Sequence, residues 1–291
     1  MSDTKTEIFK ESSRGLKFFK KLIRRKLTLI GLIICAFCLL LVIFAPLIMP
    51  YDPNHIDVSI TLEPPNSAHW MGTDELGRDI LSRLIAGTKI SITVVISTVI
   101  IGMVLGTTLG LIGGYYRGKT DLIISNILDA MWSFPTLVLA LAITAVLGAG
   151  LVNIIIAISI VYSPSYGRLV RSTVLLIRES DYVEGAIAVG LNNFEIITRY
   201  VLPNTYSCII VQASLNAAHA VIAEASLSFL GVGIQPPQAS WGVLLKTGFN
   251  YLHKAPWYSI FAGIAIFLLA LGLNFIGDGF RDALDVRLKD V

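Results

Sequence analysis

One stretch of the sequence has the spacing of a phosphate-binding loop. Residues 113–120 read G-x-x-x-x-G-K-T, a pattern in which backbone N–H groups and the lysine hold nucleotide phosphates. That chemistry requires a short buried strand before the loop, within alternating strands and helices. The loop instead follows an apolar run of about 24 residues, long enough to cross a bilayer. We therefore predict a tight cytoplasmic turn that contains Arg117 and Lys119, without nucleotide binding.

Three ionisable residues lie inside apolar runs, where a charge is costly. They are Asp129, His219 and Glu224. Such groups usually pair with one another or face a bundle interior or a water-filled path. Glu224 is either a pathway-lining residue or a paired structural acid. Asp129 is expected to pair with an arginine, and His219 to be a satisfied interior polar group.

The other reactive side chains do not suggest a catalytic or metal-binding set. The sequence indicates no Ser-His-Asp or Cys-His arrangement and no paired-carboxylate cleft, so we expect no catalytic residues, cofactor or metal. Cys35, Cys38 and Cys208 lie in apolar runs, without the spacing of metal ligands or of a disulfide framework. We expect them to be small buried hydrophobic residues.

The composition is that of an integral membrane protein. Hydrophobic residues make up 54% of the 291-residue chain and charged residues 15%, whereas soluble domains carry about 25% charged residues. The mean hydropathy is +0.72. We predict an all-α fold with six transmembrane helices, at residues 27–49, 90–113, 121–147, 154–176, 204–230 and 258–276.

Polar segments divide these spans. We predict cytoplasmic tails at residues 1–26 and 277–291, and a five-helix core over residues 90–276 that includes an outer segment at 231–258. Residues 50–89 form the first outer segment. Within it, the apolar and polar sides of Arg78–Thr88 predict an amphipathic helix at the outer interface. In the second span, glycines recur every four residues and let another helix approach closely, at Gly102, Gly106, Gly110 and Gly114.

Positive charge is concentrated in alternate connections. The segments predicted to be cytoplasmic carry 18 Lys and Arg residues, and those predicted to be outside carry 5. The cytoplasmic set comprises residues 1–26, 115–120, 168–203 and 277–291. Because Lys and Arg are enriched on the cytoplasmic side of a membrane, this bias predicts that both termini are cytoplasmic.

A short helix rich in small residues is predicted between the fourth and fifth spans, at residues 184–196. Gly190 should break or bend it, and Asn192-Asn193 is a turn or cap pair. Pro203 suits the first turn of the following helix, where its missing N–H costs nothing. The small side chains would let another protein surface approach closely.

A second motif, in residues 72–83, alternates acidic and basic residues around glycines. The glycines allow tight turns, and the charges can satisfy each other. We predict that this motif clamps the outer segment to the helix bundle, with direct substrate contact as the alternative. Its residues are Asp74, Gly77, Arg78, Asp79 and Arg83.

These motifs resemble those of ABC importer permeases of the dipeptide/oligopeptide/nickel branch. The segment between the fourth and fifth spans resembles the family's EAA loop, the coupling helix that docks into a groove of the ATPase subunit. Gly185 stands where the family usually has Ala, and Tyr200 where this branch often has His. The coupling positions that match are Glu184, Gly185, Ala186, Gly190, Leu202 and Pro203.

Further stretches extend the resemblance over about residues 27–287. Residues 72–83 resemble the signature before the second span, although Lys89 replaces an expected Arg. Residues 235–242 resemble the outer segment before the last span, and residues 277–285 resemble the C-terminal signature. The longer outer segment is similar to that of the C-type permease subunit.

The resemblance implies a multi-pass subunit of a bacterial cytoplasmic membrane. Its implied partners are a second homologous permease, two ATPases that bind the ATP, an extracytoplasmic substrate-binding protein and the lipid bilayer, without nucleic acid. The implied cargo is short peptides, with nickel or a metal–metallophore complex as the alternative. From other classes, an ion-coupled secondary transporter would have inverted repeats, and a membrane-bound enzyme or scaffold would need a catalytic cluster.

Overall fold

The computed structural model describes Leu22 and residues 25–284. Most of the predicted N-terminal tail, and the end of the C-terminal tail, lie outside these residues. The regular structure described is helical, with an isolated β-bridge between Thr73 and Asp79. In chain order the helices are α1 Lys26–Ile48, α2 Ile80–Tyr116, α3 Gly118–Trp132, α4 Thr136–Leu147, α5 Leu151–Ile177, α6 Asp181–Ala188, α7 Asn193–Ile196, α8 Leu202–Phe229, α9 Trp241–Asn250 and α10 Pro256–Leu284, with a 3₁₀ turn at Val58–Ile60.

Four helical stretches are long and apolar enough to cross a membrane, within the described part of the chain. They are α1, α2, the continuous stretch Asn193–Phe229 and α10, and the bent pair α3–α4 would make a fifth. Helix α5 has 27 residues, but its serines, tyrosines and Pro164 lower its hydropathy. The all-α prediction is confirmed, and the candidate spans by length and composition number four or five.

Helix α2 differs from the sequence prediction at its start. Its 37 residues run without a break from Ile80, so the separate amphipathic helix predicted at Arg78–Thr88 is wrong. Ile80 is buried on the predicted apolar side, and Ser82 and Arg83 are buried on the predicted polar side. The polar pair can be buried because the outer segment supplies hydrogen-bond partners for it.

The predicted third span is broken into two helices. Helices α3 and α4 meet at an angle of 95°, across residues 133–135. Pro135 explains the break, because its ring excludes a helical backbone bond and pushes the preceding residue out of the helical region.

Helices α2 and α5 pack together along the predicted glycine stripe. A Cβ atom on Gly110 would lie 2.5 Å from the carbonyl oxygen of Gly167, and one on Gly102 would lie 3.1 Å from that of Ser159. Glycine is therefore required at Gly110 for this approach of the two backbones, and the contact at Gly102 leaves little room for a side chain.

One helix continues from the α6–α7 connection through α8. Between α7 and α8, residues Ile197–Val201 form a π-helical turn, and the N–H of Leu202 donates to the carbonyl of Ile197, five residues back. Pro203 lies in the first turn of α8, as predicted. Because Pro203 has no N–H to donate, the wider turn before it lets the helix continue without interruption.

Candidate functional site

The connection between α5 and α8 forms a protruding element, which we call the knob (residues 181–196). Its first helix, α6, begins at Asp181, three residues before the predicted start at Glu184. Gly190 follows that helix with φ of +88°, a backbone conformation that glycine adopts readily. The predicted break at Gly190 is thereby confirmed.

The second helix of the knob, α7, begins with a reciprocal cap. The side chain of Asn192 accepts from the N–H of Glu195 at 2.8 Å, and the Glu195 carboxylate accepts from the N–H of Asn192 at 3.4 Å. This capping box satisfies two backbone donors that would otherwise lack partners. It confirms the predicted cap at Asn192.

A hydrophobic cluster holds the knob on the long helices. Val183, Ala186 and Ile196 pack with Val170 and Val174 of α5. The Tyr115 hydroxyl at the end of α2 donates to the Asn193 side chain at 2.9 Å. Since Ala186 is only 7% exposed, it faces the molecule rather than an approaching partner, contrary to the role predicted for it among the small residues.

The opposite side of the knob is exposed and partly apolar. Glu184, Gly185 and Gly190 are exposed, and a Cβ atom at either glycine would meet nothing within 4 Å. Val189 is 84% and Phe194 75% exposed. Apolar residues gathered on a surface mark sites of protein interaction. At the base of the knob, Leu202 is half-buried and Pro203 is exposed.

The outer segment is joined to the bundle by a buried ion-pair network, which we call the outer lock (Asp74, Glu75, Arg78, Asp79 and Arg83). Asp74 is fully buried and accepts from the Arg78 Nε at 2.6 Å. The Arg83 guanidinium lies 3.3 Å from the same carboxylate oxygen and also donates to the Pro53 carbonyl at 3.1 Å.

Three further contacts extend the outer lock. Asp79 caps α2 by accepting from the N–H of Ser82 at 2.8 Å, and its other oxygen lies 2.9 Å from the His69 Nδ1. Gly77 has φ of +73° and packs so closely on the Asp57 carbonyl that a Cβ atom would overlap it. The geometry agrees with the predicted structural clamp. The sequence analysis did not include His69 in this motif, because its partner Asp79 lies ten residues away in the sequence.

Glu75 connects the outer lock to α10. Its carboxylate lies 2.8 Å from the Arg78 Nη2 and accepts from the Tyr258 hydroxyl at 3.4 Å. Burial raises the pKa of Glu75, and the neighbouring Asp74 carboxylate raises it further. The desolvation of this carboxyl group therefore outweighs its attraction to Arg78.

Glu224 is a buried acid bonded to hydroxyl groups. It is 1% exposed and accepts from Ser228 at 2.9 Å and from Ser91 on α2 at 3.3 Å. Within the described chain it is sealed between helices. The partners of this acid are therefore hydroxyl groups from α2 and α8.

Asp129 and His219 have different environments. Asp129 lies 2.6 Å from Arg168 of α5, which confirms the predicted arginine pairing, and the Arg168 guanidinium lies 3.9 Å above the Trp132 ring. His219 is exposed in the isolated chain, and its ring stacks against that of Tyr162 with the two ring centroids 6.3 Å apart. Its prediction as an interior group is wrong for this chain taken alone.

Two adjoining cavities open beside the α3–α4 break, with volumes of about 220 Å³ and 170 Å³. Tyr162 of α5 and His219 of α8 line both, and Gln212 and Asn216 line the larger one. The sequence could have indicated that these amides share one side of a helix, since Gln212, Asn216 and His219 recur at helical spacing in an apolar run.

The remaining predictions concern the turn and the cysteines. Arg117 alone connects α2 to α3 with φ of +55°, so a tight turn is confirmed there, but Lys119 lies in α3 rather than in the turn. Residues 113–120 follow a helix and not a strand. Cys38 is buried, and Cys35 and Cys208 are half-buried, all with free thiols.

Over residues 25–284 no group of three or more His, Cys, Asp or Glu side chains could hold a metal ion.

Comparison with known proteins identifies two matching families. Residues 102–290 match the binding-protein-dependent transport system inner membrane component. Residues 13–65 match the N-terminal TM domain of oligopeptide transport permease C.

Several curated proteins are similar over almost the whole chain. The dipeptide transport system permease protein DppC of Alkalihalophilus pseudofirmus is 45% identical, over 93% of this chain and 89% of its own length. The probable D,D-dipeptide transport system permease protein DdpC of Escherichia coli is 42% identical, over 94% and 92%. The glutathione transport system permease protein GsiD of Pectobacterium atrosepticum is 41% identical, over 94% and 91%.

Proposed function

Since the chain belongs to the inner membrane components of binding-protein-dependent transport systems, we propose that it is one permease subunit of an ATP-driven importer of short peptides. It forms half of a translocation pathway, and a second homologous permease forms the other half. An extracytoplasmic binding protein delivers the peptide. Two ATPase subunits bind and hydrolyse the ATP, so the chain itself needs neither a catalytic residue nor a cofactor.

The exposed side of the knob is the observation that carries this proposal. Val189 and Phe194 protrude beside two glycines at which an added Cβ atom would meet nothing within 4 Å, while the inner side of the knob is fixed to α2 and α5. A partner can therefore approach the backbone closely and push on a rigid element. Closure of the ATPases would move the knob as a body and switch the pathway between outward- and inward-open states.

The proposed topology has six spans with both termini and the knob in the cytoplasm. Helices α3 and α4 together count as one broken span, and α5 is counted despite its polar middle. The excess of Lys and Arg in the segments on the knob's side supports this orientation. The outer lock then lies on the extracytoplasmic side, where a binding protein would dock.

Peptide cargo is supported by the names of the relatives. Two are dipeptide permeases and one is a glutathione permease, and glutathione is itself a tripeptide. Nickel or a metal–metallophore complex is the competing cargo.

The test uses the complete complex in vesicles with ATP enclosed on the ATPase side. We expect the wild type to accumulate radiolabelled dialanine only with ATP and the binding protein. Glu184→Ala and Gly190→Arg should lower uptake at least tenfold, because they alter the surface that meets the ATPase, while both permeases still co-purify. Lys119→Ala, in the exposed first turn of α3, is the matched control and should transport normally.

Other outcomes would contradict the proposal. Uptake driven by an ion gradient without ATP would identify a secondary transporter. ATP-dependent uptake of nickel but not of dialanine would identify the competing cargo. Normal transport by Gly190→Arg would mean that the knob is only a connection.

A further inference from the structure

The two cavities beside the α3–α4 break lie half-way along the helices that form them. Tyr162 and Ser165 are near the middle of α5, and Gln212 and Asn216 are near the middle of the continuous helix Asn193–Phe229. Backbone outside a helix is tolerated at membrane depth only where protein buries it or a water-filled cavity receives it. Phe134, within the break, lines the larger cavity, so this break opens onto a space that water can fill.

A second proline faces the same space. Pro164 lies inside α5 and lines the larger cavity, and it cannot donate to the Ile160 carbonyl. The Ser163 hydroxyl donates to that carbonyl instead, at 2.8 Å. The α3–α4 span is thus broken where α5 lacks one backbone hydrogen bond, and the Ser163 hydroxyl compensates for that bond in α5.

A chain of side-chain hydrogen bonds fixes the polar wall. Gln212 Nε2 donates to Asn216 Oδ1 at 3.0 Å, and Asn216 Nδ2 donates to the Ser165 hydroxyl at 2.8 Å. That hydroxyl in turn donates to the Tyr162 carbonyl at 2.7 Å. Asn216 is only 3% exposed, so it holds the half-buried Gln212 in one orientation with its Oε1 left as an acceptor.

His219 completes the wall one turn beyond Asn216. Its ring is exposed and stacks on Tyr162, and neither ring nitrogen has a hydrogen-bond partner in the described part of the chain. An amide oxygen and an imidazole therefore face the same space, at a depth where unpaired polar groups are costly.

Neither cavity could enclose a ligand by itself. Their volumes of about 220 Å³ and 170 Å³ are below the roughly 300 Å³ at which pockets begin to enclose small ligands. A second surface must close the site, and the partner permease would supply it.

We infer that this polar wall is a binding site for the main chain of the transported peptide, an inference that rests on the proposed function. Gln212 Oε1 can accept from a peptide N–H, and the His219 ring can bond to a peptide carbonyl or terminal carboxylate. Main-chain groups are common to all peptides, whereas the apolar Val161 and Leu215 beside them place little restriction on side chains. The site would thus select peptides as a class rather than one sequence.

The test measures labelling of single cysteines in the complete complex, with Cys35, Cys38 and Cys208 replaced by alanine. A charged, membrane-impermeant thiol reagent should modify Gln212→Cys and His219→Cys at least tenfold faster than Ile210→Cys. Ile210 is the matched control because it is 43% exposed at nearly the same depth, on the opposite side of α8 from Gln212. Excess trialanine during ATP-driven turnover should slow labelling at 212 and 219 at least threefold and leave 210 unchanged.

Uptake measured in parallel separates the possible failures. If the cysteine-replaced parent imports no peptide under any condition, the proposed function fails. If it imports peptide but 212 and 219 react no faster than 210, the wall does not line the path. Fast labelling that trialanine does not slow would mean a water-filled path without a peptide site, which also overturns the inference.

Discussion

The outer lock and the knob differ in how far their side chains are exposed. In the outer lock, Asp74 and Arg83 are 0% and 2% exposed and each has more than one partner. In the knob, Glu184 and the apolar Val189 are exposed. Burial makes a charge depend on its partners for stability, whereas exposure leaves a side chain free for another molecule. Substitutions in the outer lock should therefore destabilise the fold, whereas substitutions on the exposed side of the knob should weaken the binding of a partner.

The largest expected effect on stability is at Asp74. Asp74→Ala leaves Arg78 and Arg83 buried without their shared carboxylate, and breaking a buried pair in this way costs about 3–5 kcal/mol. We expect a large fall in the melting temperature of the detergent-solubilised complex. Asp57→Ala, at a half-buried position in the same segment, is the control and should have a much smaller effect. Equal melting temperatures would mean that the outer lock contributes little.

A smaller effect is expected where the knob joins α2. Tyr115→Phe removes the hydroxyl that donates to Asn193 and should cost about 1 kcal/mol. Hydrogen exchange measured by mass spectrometry should increase in residues 181–196 and remain unchanged in residues 72–83. Tyr116→Phe provides the control, because that neighbouring ring is 49% exposed. An increase spread evenly over the chain would argue against separate regions.

Glu75 gives the outer lock a pH dependence. Its pKa is raised by burial and by Asp74, so the folded chain binds this proton more tightly than the unfolded chain. Stability from Glu75 is therefore greatest below about pH 4.3, the usual glutamate pKa, and declines as the pH rises through the raised value. The melting temperature of the wild type should fall more than that of Glu75→Gln as the pH rises above about 4.3. If the melting temperatures of the wild type and Glu75→Gln changed equally with pH, the pH dependence would not come from Glu75.

The smallest effect on stability, with the largest on assembly, is expected at the tip of the knob. Val189→Asp changes a side chain that is 84% exposed, so stability should change by less than about 0.5 kcal/mol. Retention of the ATPases during purification should nevertheless fall severalfold. The matched control is Val152→Asp at the start of α5, 65% exposed but outside the knob. Loss of the whole complex in both variants would show that the substitution itself, and not its position, was responsible.

Local features were predictable from the sequence, and distant contacts were not. The break at Gly190 and the cap at Asn192 depend on residues within a few positions of each other. The alternation of Asp and Arg likewise indicated mutual pairing in the outer lock. Its burial was missed, because Arg83 reaches the Pro53 carbonyl thirty residues away, and no pattern within one helix reports such a contact.

The candidate site shows the same limit. Asp129 could be assigned an arginine because acids at membrane depth need partners, and Arg168 supplies one. Pro135 was visible in the sequence, yet the 95° bend depends on how α4 packs. The contact between Asn216 and Ser165 joins residues 51 positions apart on two helices, so the polar wall appears only once those helices are placed together.

The π turn at Ile197–Val201 makes α7 of the knob and the whole of α8 parts of a single rod. Because α7 continues into α8 over 37 residues, the rod is about 55 Å long at 1.5 Å per residue. Pro203 lies near its start, which leaves a short arm that carries α7 and a long arm that ends at Phe229. A rigid tilt of about 5° around that point moves the end of the long arm by about 3 Å, by the same rise per residue. The unequal arms therefore give α8 the geometry of a lever that magnifies a small displacement of the knob.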